Sequence, residues 1–202
     1  MISPRIAVDF DNTIVDHRET FHAAAVAAEL LPPGTARTKQ EVRDALRGAG
    51  REDDWTRLQG LVYGPAMQDA PPHDGVTDFF ARCRRAGIDV AIISHRTLHP
   101  FLGEPHDLHA AARSWLLANG FHAPPISLSD ADIHFELTVE AKIARIATWG
   151  ATVHVDDLPE FLGRDDWPEG VDRVLFDPHR RERSAPFATV HSWAEAAATL
   201  LP

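Results

Sequence analysis

Four places in this sequence carry side chains able to act together chemically. The segment IAVDFDNTIV sets Asp9 and Asp11 two residues apart after an apolar run, with Thr13 two further on. Side chains alternate faces along a strand, so the two carboxylates point the same way. Like charges that close raise one another's pKa, and a bound divalent cation is the simplest compensation; hard oxygen ligands favour Mg2+. The segment TVHVDDLPEF ends another apolar run on Asp156 and Asp157, a second acidic pair that calls for a cation. VAIISHRT closes a third run on Ser94, whose hydroxyl can reach the same cleft. Lys142 stands near the start of TVEAKIARIATWG, and Lys39 is the only other lysine among 20 basic side chains. So strong a preference for arginine suggests that Lys142 is kept as a compact ammonium, a role the guanidinium fork fills poorly. Each feature alone also has an ordinary reading: solvated turns for Asp11-Asn12 and Asp156-Asp157, a strand-end cap for Ser94, a solvated helix face for Lys142.

Periodicity locates the strands and helices that carry these groups. Short apolar or β-branched runs at 6–10, 89–94, 133–137, 152–156 and 173–177 read as strands. Between them GVTDFFARCRRAG, DLHAAARSWLLANG and TVEAKIARIATWG space their apolar residues by three and four, as amphipathic helices do. Asp107 and Thr138 suit N-caps of the second and third helices, and Gly87, Gly120 and Gly150 end the three. Such alternation predicts an α/β fold, a parallel sheet with helices on both faces and its ligand site beyond the carboxyl ends of the strands. Residues 17–75 break the rhythm. They hold three helical patterns and no convincing strand, the first after Asp16 as a cap and running to Pro32-Pro33, the second opened by the capping-box pair Thr38 and Glu41. The expected organisation is a core of 1–16 and 76–202 with a small helical subdomain at 17–75.

Composition limits the functional classes. Hydrophobic residues make up 44% and charged residues 25%, as in ordinary globular proteins. A formal net charge of −10 argues against a nucleic-acid-coating surface. The lone cysteine, Cys83, excludes an internal disulfide and fits a reducing compartment. No apolar run approaches the roughly 18 residues of a membrane span, and none reads as a secretory leader, so a cytoplasmic protein without a membrane partner is expected.

The order Asp-x-Asp-x-Thr, then Ser, then Lys, then Asp-Asp, each at a strand or helix end, resembles the four motifs of the haloacid dehalogenase (HAD) superfamily. The resemblance covers residues 4–16 and about 76–177, and it implies a Mg2+-dependent phosphatase acting on a small phosphorylated metabolite. On that pattern Asp9 is the nucleophile and Asp11 the general acid, then base. Ser94 and Lys142 bind the transferring phosphoryl group, alongside Asn12 and Thr13. Asp9, the Asp11 carbonyl and Asp156 hold Mg2+, with Asp157 beside them. A second aspartate at the place of Asp11 points to phosphoryl transfer, since members that cleave carbon–halogen bonds do not need an acid there. Asn12 stands where glycine is commonest, and asparagine tolerates positive φ. His95 and Arg96 after Ser94 are less usual and would add an electropositive wall to the phosphate site. The insertion at 17–75 resembles the smaller helical type of cap, which closes over the site and selects the leaving group.

Other features carry less. His95, His99, His106 and His109 match no familiar closed zinc site, and Pro100 and Pro105 rule out a continuous helix between them. HRRER at 179–183 reads as a solvated basic surface. Trp55 and Tyr63 read as the core of the helical subdomain. Competing functions are a phosphotransferase or phosphomutase of the same superfamily, a phosphorylated receiver module, disfavoured by the motif order, and a catalytically idle binding protein. Substrate identity and oligomeric state are not written in these motifs, because specificity resides in site geometry.

Overall fold

The computed structural model describes residues 4–182 and 184–202. Arg183, the last residue of the basic run at 179–183, lies outside the described residues. By contact the chain forms two compact units, one of 1–14, 72–95 and 120–202, the other of 15–71 and 96–119.

The first unit is built on a six-stranded parallel sheet: β1 (Arg5–Val8), β2 (Asp89–His95), β3 (Ile133–Glu136), β4 (Val153–Asp156), β5 (Asp172–Phe176) and β6 (Ala188–Val190). Their order in space is β3-β2-β1-β4-β5-β6. β1 therefore sits at the point where the winding reverses, between β2 and β4, where sheets of this kind open a crevice beyond their carboxyl ends. Val8 registers with Ile92 on one side and Val155 on the other. All five expected strands are present. β6 was not expected: its three residues carry too little apolar pattern to declare a strand, and it forms by pairing Phe176 with Val190.

Ile6, Ala7 and Val8 are wholly buried, as a strand covered on both faces requires. Ala7 belongs to an apolar layer that includes Ala91, Ile93, Ile143, Ile146, Phe161, Leu162 and Leu175. Helix α6 (Val139–Trp149) starts on the Thr138 hydroxyl, which accepts from the Ala141 amide, and ends on Gly150 at φ 75.

The second unit packs α1 (Arg18–Ala27), α2 (Lys39–Gly48), α3 (Glu52–Tyr63) and α5 (Leu108–Ala118). Thus 96–119, which the pattern of strands and helices assigns to the core, is grouped by contact with the helical segment. Helix α1 stops before the proline pair. Glu29 turns left-handed at φ 55, and the Leu30 amide bonds back to the Ala25 carbonyl. Helix α2 opens on the complete Thr38–Glu41 capping box. Phe21 stacks on Trp55 at 5.2 Å within a core of Val42, Leu46, Leu58 and Val62. Gly60 lets α3 lie against the 97–106 loop, since a Cβ there would stand 2.7 Å from Pro100 Cβ. Helices α4 (Val76–Arg85), α7 (Pro159–Leu162) and α8 (Trp193–Leu200) complete the first unit. Among the described residues no helix is long and apolar enough to cross a membrane.

Candidate active site

Asp9 follows directly on β1, Ser94 is the penultimate residue of β2, Asp156 ends β4, and Lys142 lies in the first turn of α6. Three adjacent parallel strands thus deliver their ends to one edge, and the helix after β3 delivers its first turn there. A helical side chain leans toward its own N-terminus, which carries Lys142 back to that edge. A cation in the first turn opposes the helix dipole, so its place there needs anionic partners.

It has two. The Lys142 ammonium donates to Asp9 Oδ1 at 2.6 Å and to Asp156 Oδ2 at 2.6 Å, with its side chain almost wholly buried. It also lies 4.0 Å from the centre of the Phe161 ring. The Ser94 hydroxyl donates to the same Asp9 oxygen at 2.8 Å, and the Asp9 amide donates to the Val155 carbonyl. Asp156 accepts from the Leu158 amide on Oδ1, and His154 Nε2 lies 3.0 Å from its Oδ2. Of the side chains hydrogen-bonded in this set, the sequence pattern singled out Asp9, Ser94, Lys142 and Asp156 but not His154. Its signal was available: His154 precedes Asp156 by two, so both side chains take the same face of the strand.

Electrostatics separates the two buried aspartates. Burial pushes the Asp9 carboxyl up to about 6, with Asp156 and Asp11 adding to the rise and Lys142 opposing it. Burial works in the same direction on Asp156, but there Lys142 and His154 override it and hold the carboxyl down at about 2. Burial also works against the charge of Lys142, yet Asp156 and Asp9 raise its pKa well above the usual lysine value. Burial pushes the His154 imidazole down, with Asp156 opposing it.

Asp9, Asp156 and half-buried Asp157 each offer a carboxylate oxygen, and these oxygens lie within 4.8 Å of one another. Lys142 is bonded to two of these three carboxylates, and one ammonium does not offset three acidic groups. The cluster's donors are all hard oxygens, and the set fits a divalent cation.

The loop after β1 is held from three sides. The Ile14 amide bonds to the Phe10 carbonyl, His73 Nε2 lies 3.0 Å from the Asn12 carbonyl, and the Trp193 indole donates to the Thr13 carbonyl at 3.1 Å. Asn12 takes φ 60, the left-handed turn that asparagine tolerates. Asp11 and Asn12 are half-buried; Thr13 is fully buried, and its hydroxyl has no hydrogen-bond partner among the described residues. His73 and Trp193 carry no signal in sequence, since they meet the loop only through the fold. His95 ends β2 exposed. Arg96 opens the second unit's 96–119 segment, with its guanidinium donating to the carbonyls of Tyr63 at 3.1 Å and Leu108 at 3.3 Å.

No protein-family model matches the chain, and no curated protein does. Solved structures do. The HAD-hydrolase YfnB from Bacillus subtilis, bound to magnesium, is 13% identical with a TM-score of 0.62, covering 100% of both chains. A HAD family hydrolase from Deinococcus radiodurans R1 with bound phosphate and sodium is 14% identical with a TM-score of 0.62, over 98% of this chain and 95% of the other. CbbY from Rhodobacter sphaeroides, in complex with xylulose-(1,5)bisphosphate, is 16% identical with a TM-score of 0.56, over 98% and 99%. A dehalogenase is among the similar structures too, at a TM-score of 0.61. The likeness extends over nearly the whole of each chain, and the fold of this chain is the HAD-like α/β fold.

Proposed function

We propose that this protein is a Mg2+-dependent phosphatase that hydrolyses a small-molecule phosphate monoester through an aspartyl-phosphate on Asp9. The observation that carries the reading is the Lys142 ammonium shared between Asp9 and Asp156 at 2.6 Å each, with Ser94 on the same Asp9 oxygen. That arrangement orients one buried carboxylate, surrounds it with donors and leaves other acidic groups to take a cation. Asp9, Asp156 and Asp157, with the Asp11 carbonyl, would hold Mg2+. When bound, the ion supplies positive charge against the phosphoryl oxygens.

The remaining steps belong to side chains. An oxygen of Asp9 attacks phosphorus, the ester P–O bond breaks, and Asp11 gives its proton to the departing alkoxide. Water then attacks the phosphorus of the acyl phosphate while Asp11 takes its proton, and phosphate leaves with the carboxylate of Asp9 restored. Ser94 and Lys142 meet the charge on the equatorial oxygens, in line with general requirements for phosphoryl transfer. Asn12 and His95 are assigned to the substrate wall, and the helical unit to a cap that selects the leaving group. Thr13 and Arg96 are withdrawn from that wall, because Thr13 is fully buried and the buried Arg96 guanidinium is bonded to the Tyr63 and Leu108 carbonyls. The expected setting is the cytoplasm.

A similar structure is that of a dehalogenase, so carbon–halogen cleavage is the second reading. Asp11 favours phosphate, because a halide leaves without a proton. The test measures phosphate release from p-nitrophenyl phosphate and a panel of metabolite phosphates, and halide release from 2-chloropropionate, in Mg2+ and in EDTA. Phosphate release that needs Mg2+ and disappears in Asp9→Asn is expected. Halide release without phosphate release refutes the proposal.

A further inference from the structure

His154 is a costly residue where it stands. It is wholly buried in the middle of β4, among the apolar side chains under the sheet. Its ring lies 5.7 Å from Phe161 and 5.8 Å from Trp167, so an apolar side chain of similar size would fill the same space. Its Nδ1 has no hydrogen-bond partner among the described residues. A buried polar atom left unpaired costs about 1–3 kcal/mol, and nothing in the packing of the layer offsets that. Its one polar contact is Nε2 to Asp156 Oδ2 at 3.0 Å. A carboxylate only accepts, so the hydrogen-bond network assigns the ring proton to Nε2 and makes His154 the donor.

Asp156 is held by three donors, and their roles differ. Lys142 divides its ammonium between Asp156 and Asp9. The Leu158 amide secures Oδ1 and belongs to the main chain. His154 is the side-chain donor in this set that serves Asp156 without also binding Asp9. When the charge balance around Asp9 changes, as it must on binding a cation or a phosphoryl group, the hold of Lys142 on Asp156 changes with it. His154 makes no hydrogen bond to Asp9 that such a change could redirect.

We propose that His154 is a positioning residue for metal binding, whose imidazole donor fixes the Asp156 carboxylate in the orientation that acts together with Asp9 and Asp157. This inference rests on the metal-dependent reading above. Partners that orient ligating carboxylates typically change metal affinity or activity by about 10–100-fold when lost.

The test is Mg2+ titration by calorimetry on the full chain, for wild type, His154→Phe, His154→Met and His154→Gln. Phe and Met keep the layer filled and lose the donor, and melting in EDTA verifies that each variant is folded. Gln places an amide N–H near the position of Nε2. The expected result is Mg2+ affinity weaker by about 10–100-fold in the Phe and Met variants, with most of it restored in Gln. The Phe variant should recover turnover at saturating Mg2+, so the defect appears in the Mg2+ dependence more than in kcat. Wild-type affinity in both apolar variants overturns the inference alone, and so does a Gln variant as weak as Phe. A wild type that takes up no Mg2+ overturns the metal reading, and the inference with it.

Discussion

Asp9→Asn should make the metal-free protein more stable at neutral pH while removing its activity. Asp9 is only 6% exposed, so solvent does little to screen its charge. Its folded pKa of about 6 exceeds its ordinary value of 3.8, so the folded state holds the proton more tightly than the unfolded one. Stability is therefore undiminished below the unfolded value, falls as pH rises through the window from 3.8 to about 6, and carries the full penalty above it. A rise of that size corresponds to about 3 kcal/mol at neutral pH. Asparagine resembles the protonated form and does not titrate. For a chain of this length about 3 kcal/mol translates into a gain in Tm of about 6–12 °C. The assay is thermal melting by circular dichroism in EDTA, wild type beside Asp9→Asn, from pH 4 to pH 8. The gain should be near zero at the acid end, grow through the window and level off above it. Added Mg2+ should narrow the gap by stabilising wild type more. A variant no more stable than wild type at neutral pH, or a gain independent of pH, refutes the argument that burial of a charged Asp9 strains this site.

Lys142→Met leaves Asp9 and Asp156 buried without their shared ammonium, so a loss of about 3–5 kcal/mol is expected, read as a lower urea midpoint, along with loss of turnover. Ser94→Ala removes one donor from the charged Asp9, worth about 1.5–3 kcal/mol; kcat/KM for p-nitrophenyl phosphate should fall about 10-fold or more. Trp193→Phe keeps the ring but strands the Thr13 carbonyl, and melting should show about 1–3 kcal/mol of lost stability together with slower turnover as the loop after β1 loosens. Thr38→Ala removes the capping box that opens α2, and should lower stability by about 1 kcal/mol in a urea titration while the Mg2+ affinity of the Asp9 site stays unchanged.

The five longer strands were legible in the sequence because each is a short apolar or β-branched run between turn and helix signals. The sequence by itself also determined the helix limits at Thr138, Asp107 and Gly150, because capping is a matter of a few adjacent residues. Three of the four chemical positions were legible because a polar residue ending an apolar strand is a local anomaly; Lys142 stood out instead as one of two lysines among 20 basic side chains. What the sequence did not determine lies in contacts between distant segments. The short strand β6 exists only through pairing with β5. Residues 96–119 are held against α3 by the close approach of Gly60 to Pro100, which no local pattern announces. His73 and Trp193 reach the loop after β1 from 61 and 180 residues away. His154 was visible as a strand residue, but its bond to Asp156 beneath Phe161 and Trp167 needed the folded layer to appear. Periodicity and capping act over a few residues; the geometry of the charged cluster is set by strand order, and strand order is a property of the whole sheet.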